Sequence, residues 1–503
     1  MNVLSNSTSG SSASARSTLS VDNPRLFVAA VVLSVVPLWF GRYLPMVDLP
    51  GHAAVIAALQ EILRGNLTFT TAFEAHWTSP YMLGYALLYA ASSVLSPMLA
   101  AKVVVSSAVA ATSLMSAILL RAAGADERWK WLAIPASYSY AFYWGFVSFI
   151  VAVPIALLLL VLTIRFDEAA TLKRSMLIAL TTIVLFYSHI IAMGFACLIS
   201  LSYLAAKNHG TLRQLVLRSL PYATPIPLIV IWFASDQMGA ADAPIRFGSW
   251  ISRLTLLLVQ PAGFERLSLL AIPITASILV LPPLAGSRLT RSPARWLPVG
   301  LCLTIFLAAP SYAYLTGFLY ERMGVFLVPL YLLLWDPPPE RRENLAWLAM
   351  PLVLVWLFAN VSRFASFARE TQDFDVILKA VPPHKRVGAL ILNPNTPLFG
   401  TPVYLHFTSW YQATQRGIVD FNFAEFRSVL HYRQADSPRI TEQLSWYPQL
   451  FDWKSHGGKS YDYFVVKGDI NVDLAPRLFR EHMDSIELVA HSRWWWLYRN
   501  KSN

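Results

Sequence analysis

The sequence is poor in charge. Of 503 residues, 40 are basic and 29 acidic, together 14%, against roughly 25% in a soluble globular protein. With 55% hydrophobic residues and a mean hydropathy of +0.47, this scarcity excludes a disordered chain and an ordinary soluble enzyme. Cysteine is scarcer still. Cys197 and Cys302 are the only two, and both lie inside apolar runs, so there is no disulfide framework. The apolar runs themselves carry almost no charge, which leaves little from which to build a proton relay or an ion pathway. Internal repeats of fixed period and inverted pairs of broken helices are also lacking.

What charge there is falls unevenly. From Ser366 onward, 16 basic and 14 acidic residues make up about 22% of the chain, whereas the first 365 residues hold 24 basic and 15 acidic, about 11%. The sequence therefore divides into a disordered cytoplasmic tail (1–25), a polytopic membrane module (26–364) and a soluble domain (365–503). The formal net charge of +11 sits mostly in short loops between apolar runs, where topology determinants belong, so it implies no nucleic-acid partner.

The first apolar run, Leu26 to Leu44, is long enough to cross a hydrocarbon core of about 30 Å and reads as an anchor, because no small-residue cleavage site follows it. Further runs occupy approximately residues 98–120, 131–145, 147–164, 175–188, 189–206, 217–235, 267–285, 296–314, 323–335 and 346–362. Residues 80–96 are ambiguous. With the N-terminus inside and this segment not spanning, sixteen basic residues of the module, including Arg121, Arg128, Lys130, Arg341 and Arg342, become cytoplasmic and eight external, as the positive-inside rule requires. That gives about 11 crossings, external loops at 45–97 and 236–266, and an external C-terminal domain. Amphipathic stretches at 52–63 and 250–260 are expected to lie flat at the membrane surface. In the last domain, RVGALIL and YDYFVVKG read as strands, IELVAHS and WWWLYRN as a closing antiparallel pair, and FDVILKAV and APRLFREHM as helices, a mixed α/β pattern.

The groups able to do chemistry gather at the external face. In PMVDLPGHAAVIAALQEIL, Asp48 and His52 are one helical turn apart, with capping by Asp48 the competing role. Glu74 and His76 follow in FEAHWTSPY. With Asp48 and His52 they could hold a divalent metal, or all four could be independent interfacial groups. His189 occupies the turn in FYSHIIAMGF, and Glu321 and Arg322 open GFLYERMGVFLVPL. Arg322 can snorkel or hold a phosphate, and Lys102 is a second phosphate candidate. One carboxylate to remove a proton, plus cations to stabilise a lipid-phosphate leaving group, is what glycosyl transfer to a hydroxyl requires.

These segments resemble the GT-C superfamily of integral-membrane glycosyltransferases, which use polyprenyl-phosphate sugars as donors. The resemblance rests on VDLPGHAA, YWGFVSFIVAVPIALLLL, FYSHIIAM and ERMGVFLVPLYLLL, and on FDVILKAVPPHKRVGAL and YDYFVVKG in the C-terminal domain. It implies a GT-C-like membrane fold with a periplasmic α/β domain in a bacterial inner membrane, and a hexosyl- or pentosyltransferase acting on an envelope glycan, lipid or protein. It also implies Asp48 as base and Arg322 on the lipid phosphate, with His52, Glu74, His76 and His189 lining the cavity. Asp48 is followed by Leu49 and Pro50 rather than by a second carboxylate, so metal dependence stays open. Trp410, Tyr411, Trp446 and the Trp494–Trp496 run could stack on acceptor sugars or be core and interfacial anchors, the latter favoured for the Trp run. Two other functions compete: a transporter or flippase of lipid-linked glycans, and a non-catalytic envelope assembly protein.

Overall fold

The computed structural model describes residues 21, 23–207, 210–235, 244–313, 316–339, 345–426, 429–434, 437–470 and 472–502. Most of the expected tail (residues 1–20 and 22), Arg341 and Arg342, and part of the 236–266 loop fall outside them, while Pro24 and Arg25 of the expected tail open the helix Pro24–Ser34.

Val147–Glu168 is the centre of the helical part. Its apolar residues run all round the helix, so it is buried on nearly every side, as such a helix must be. Pro97–Ala122, Leu172–Ser188 and Ile190–Ala206 pack around it. Among the described residues three helices are long and apolar enough to cross a membrane: Pro97–Ala122, Val147–Glu168 and Ala346–Ala380. A pair bent by 50°, Leu212–Ala223 with Ile226–Ala234, makes a fourth if counted as one span, and six further apolar helices are shorter. These helices place the chain in a membrane. Residues 131–145 do not form one helix, because the chain turns at Ser137 and again at Gly145, leaving Ala133–Ala136 and Tyr140–Trp144 as short pieces. Met82–Ser92 is 11 residues, about 16 Å and roughly half a hydrocarbon core.

The stretch 52–63 belongs to the helix Leu49–Leu63, and 12 of its 15 residues are buried, so protein covers it on nearly every side. Small residues on its sides let Ser409–Gln415 dock closely against it. Gln412 Nε2 donates to the Ala54 carbonyl at 2.9 Å, and a Cβ at Gly51 would fall 2.6 Å from the Phe423 ring. The helix Trp250–Val259, in contrast, leaves Trp250, Ile251, Leu254 and Leu258 exposed along one side, the apolar stripe of an interfacial helix.

Beyond Glu370 the chain forms a five-stranded sheet in the order Ile486–Ser492, Trp495–Asn500, Tyr463–Lys467, Arg386–Ile391, Ile418–Asp420. The last three strands are parallel, with Ala389 opposite Val465 and Gly388 opposite Asp420. Trp495–Asn500 joins antiparallel, Trp496 opposite Val466. All of Tyr463–Lys467 is buried, which is why it reads as a continuous apolar run. A separate two-stranded ladder pairs Phe73–Ala75 of the first loop with Leu430–Tyr432. A third tie is the Glu265 carboxylate, fully buried, which accepts from Arg363 Nη2 at 2.6 Å and from the Gly400 N–H at 2.9 Å.

Candidate active site

Asp48 sits at the mouth of the helix Leu49–Leu63, yet it makes no capping bond. A capping side chain needs an extended backbone at that position, and Asp48 has φ −91° and ψ −14°. Its carboxylate is thereby left for other work. The turn Tyr143–Gly145 fixes its backbone: the Val47 and Asp48 N–H groups donate to the Tyr143 and Trp144 carbonyls at 3.1 and 2.9 Å. Gly145, at φ +79°, allows this approach, since a Cβ there would fall 2.9 Å from Leu49 N and 3.0 Å from Asp48 N. The YWGF sequence is thus the platform under Asp48.

Around the carboxylate stand groups from distant segments. Oδ1 lies 3.7 Å from Nε2 of His406. Burial pushes the Asp48 carboxyl up to about 7, with the Arg322 guanidinium opposing the rise and Glu442 adding to it. His52, one turn along, has Nδ1 2.8 Å from the Tyr85 hydroxyl and its ring edge against Phe423. Burial, reinforced by the Arg322 charge, lowers its pKa to about 3, so it is neutral at pH 7.

Arg322 is itself buried and stacks over Phe146 at 3.8 Å. Nη2 donates to the Gly317 carbonyl at 3.1 Å, and Nη1 lies 3.2 Å from His189 Nε2. A guanidinium can only donate, so Nε2 accepts and His189 is the tautomer protonated at Nδ1. That Nδ1 and the Arg322 Nε are both buried without a hydrogen-bond partner among the described residues. Arg322 and Asp48 feel each other's charge, but among the described residues no ion pair within 4 Å joins them. Their charges act on one another without direct contact.

The other sequence candidates are placed differently. Glu321 is buried beside Arg322, but its carboxylate accepts from the Ser311 hydroxyl. Lys102 does not join the cluster: its ammonium donates to the Gly41 carbonyl at 2.5 Å and lies over Trp39, which satisfies it locally. Glu74 is exposed on the small ladder, 3.5 Å from Arg433. His76 bonds Thr78 and stacks on His431 at 4.7 Å. The reading of Glu74 and His76 as co-ligands of a metal with Asp48 and His52 is therefore corrected; among the described residues no group of three or more His, Cys, Asp or Glu could hold one. The alternation of Phe73–Ala75 in the ladder turns Glu74 to solvent. Trp410 and Tyr411 are core residues, as are Trp495 and Trp496, while Trp446 is part-exposed with its ring 6.2 Å from Trp144.

Sequence reasoning missed His406 and Glu442. His406 lies in TPVYLHFTSW, a stretch without periodicity, and Glu442 begins a five-residue helix. Neither carries a local signal.

Two solved structures share this architecture. The crystal structure of ArnT from Cupriavidus metallidurans in the apo state superposes with a TM-score of 0.58 at 12% identity, covering 98% of this chain and 99% of that one. The same protein bound to undecaprenyl phosphate gives 0.54 at 12% identity, over 94% and 97%. The likeness runs through the membrane helices and the C-terminal sheet alike and shows a GT-C-type fold. No protein-family model matches the sequence, and no curated protein matches it.

Proposed function

We propose that the chain is an integral-membrane glycosyltransferase that moves a sugar from a polyprenyl-phosphate donor to a hydroxyl of an envelope glycan, lipid or protein on the external side of the inner membrane. The observation that carries this reading is the uncapped, part-buried Asp48 carboxylate within the field of the buried Arg322 guanidinium. The undecaprenyl phosphate in the ArnT structure of like fold supports the donor class.

In this reading Asp48 takes the proton of the acceptor hydroxyl as its oxygen bonds the anomeric carbon. The bond from that carbon to the phosphate oxygen breaks, and its electron pair leaves with the lipid phosphate. Arg322 offsets the charge that gathers there, and the proton on Asp48 then passes to solvent or to the departing phosphate. A carboxyl raised to about 7 is matched to this task, because a base poised near the working pH combines availability with driving force. His189 orients Arg322, and His406 stands beside Asp48. The soluble domain supplies the acceptor side, since it delivers His406, Glu442 and Trp446 to the same place.

The test is lipid and glycan analysis of a deletion strain. A polyprenyl-phosphate sugar should accumulate and one glycan decoration should be missing, both restored by the wild-type chain and neither by Asp48→Asn. Restoration by folded Asp48→Asn removes Asp48 from the mechanism.

A further inference from the structure

A second opening lies away from Asp48. It is a cleft of about 850 Å³ between the first-loop segment Asn66–Ala72 and the near end of the parallel strands, within the size range of ligand sites. Lys385, Arg386 and Arg416 line it, with Asp420 and Asp462. Asp420 is spent: it accepts from Arg386 Nη2 and from the Tyr432 hydroxyl at 2.7 and 2.6 Å, and its side chain is fully buried. Asp462 faces Lys385 at 3.3 Å and accepts from the Arg386 N–H. Among the described lining residues three cations face two carboxylates; Glu61, the carboxylate nearest Arg416 outside the lining, is already paired with Arg64 at 2.6 Å, and the Lys385 side chain remains 44% exposed.

Hydroxyls and amides of Asn66, Thr68, Thr71, Gln434 and Ser437 share the rest of the wall with apolar groups such as Leu67, Phe69 and Ile418. Planar guanidinium and amide groups beside hydroxyls suit a ligand rich in hydroxyls, and the surplus cation suits one bearing an oxyanion. Leu67 is the one strongly exposed large apolar side chain among the described lining residues. The cleft is tied to the Asp48 helix. Arg416 Nη1 donates to the Ala57 carbonyl at 3.4 Å and Nε lies 4.0 Å from Glu61. Ala57 is nine residues along from Asp48, or about 13 Å at the α-helical rise.

We propose that this cleft binds an anionic saccharide, carrying a uronate or phosphate group, as a segment of the acceptor several sugar units from the hydroxyl that receives the new sugar. As a part of the acceptor it rests on the glycosyl-transfer reading; as a saccharide site it does not.

The experiment measures binding to the full chain in lipid nanodiscs by calorimetry, using tetragalacturonate, with maltotetraose, inorganic phosphate and phosphatidylglycerol vesicles as comparisons. Tetragalacturonate should bind at least about tenfold more tightly than maltotetraose and weaken as salt rises. Lys385→Glu should weaken it by about tenfold or more. Thr68→Trp, which fills the opening from an exposed position, should block it, and Asp48→Asn should leave it unchanged. Absent binding, equal binding of maltotetraose, indifference to both cleft variants, or displacement by phosphate or by the vesicles overturns the proposal. Binding that persists when no transferase activity exists would refute the enzyme and keep the site; transfer without binding would do the reverse.

Discussion

Asp48 Oδ1 and His406 Nε2 lie 3.7 Å apart, one from the first loop and one from the soluble domain. Burial lowers the His406 pKa to about 3, with His52 contributing, so at pH 7 this is a neutral imidazole beside a carboxylate and not an ion pair. At 3.7 Å it is also too long for a direct hydrogen bond, which leaves room for a proton to move between Asp48 and a substrate hydroxyl. His406→Ala should lower kcat by about tenfold while leaving donor KM nearly unchanged. His406→Gln, which keeps a polar atom near Asp48, should recover part of the loss. Steady-state kinetics on both variants checks this.

The pH profile should follow Asp48. As the proposed base, Asp48 must be ionised, so kcat should be level above about pH 7 and fall about tenfold per unit below it. Stability runs the opposite way. A folded-state pKa raised above the unfolded value stabilises the chain below the unfolded pKa, and that contribution is lost as pH rises through about 7. Asp48→Asn should therefore be more stable than wild type at pH 8, by about 1–4 kcal/mol, and no more stable at pH 4. Thermal melts at the two pH values measure the difference.

In the proposed mechanism His189 acts through Arg322, which it contacts at 3.2 Å, so its loss should appear as weaker donor binding. His189→Ala should raise donor KM several-fold without moving the pH midpoint, whereas His189→Gln, which can still accept from Arg322, should be nearly silent. Arg322→Lys should cost about a hundredfold in kcat/KM, because an ammonium cannot bond Gly317 and His189 and still present a planar edge to phosphate. Kinetics against donor concentration separates the two effects.

Glu265 holds the 244–266 loop region to the start of the soluble domain. Glu265→Ala would strand a largely buried Arg363 and leave the Gly400 N–H without its acceptor. The expected loss is about 3–5 kcal/mol, read as a lower melting temperature. The exposed pair Glu74–Arg433 is the control: Glu74→Ala should change stability by less than about 1 kcal/mol and leave transfer intact.

Much of this was legible in the order of residues. The low charge before residue 365, the apolar length of Pro97–Ala122 and Val147–Glu168, the apolar runs at 386–391 and 463–467 and the closing strand pair at 486–500 follow from local composition and pattern. Asp48, His52, His189 and Arg322 were visible as polar groups where apolar ones would be expected. His406 and Glu442 were not, because their role comes from a long-range docking that no local pattern encodes. The burial of Leu49–Leu63 escaped for the same reason: an Ala-rich helix suits a membrane surface and a protein core equally until its partner is known. Glu74 and Lys102 looked functional by chemistry alone, and a ladder register and one carbonyl decide otherwise.

The docking of Ser409–Gln415 and Phe423 on the Asp48 helix also sets a schedule for biosynthesis. The first-loop helix leaves the ribosome early, while the surfaces that cover it are translated near the end. In the interval its apolar sides must be sheltered by the bilayer or by a chaperone, and the candidate site is incomplete. A nascent chain halted before about residue 400 would hold the described membrane helices yet lack the surfaces that cover the Asp48 helix.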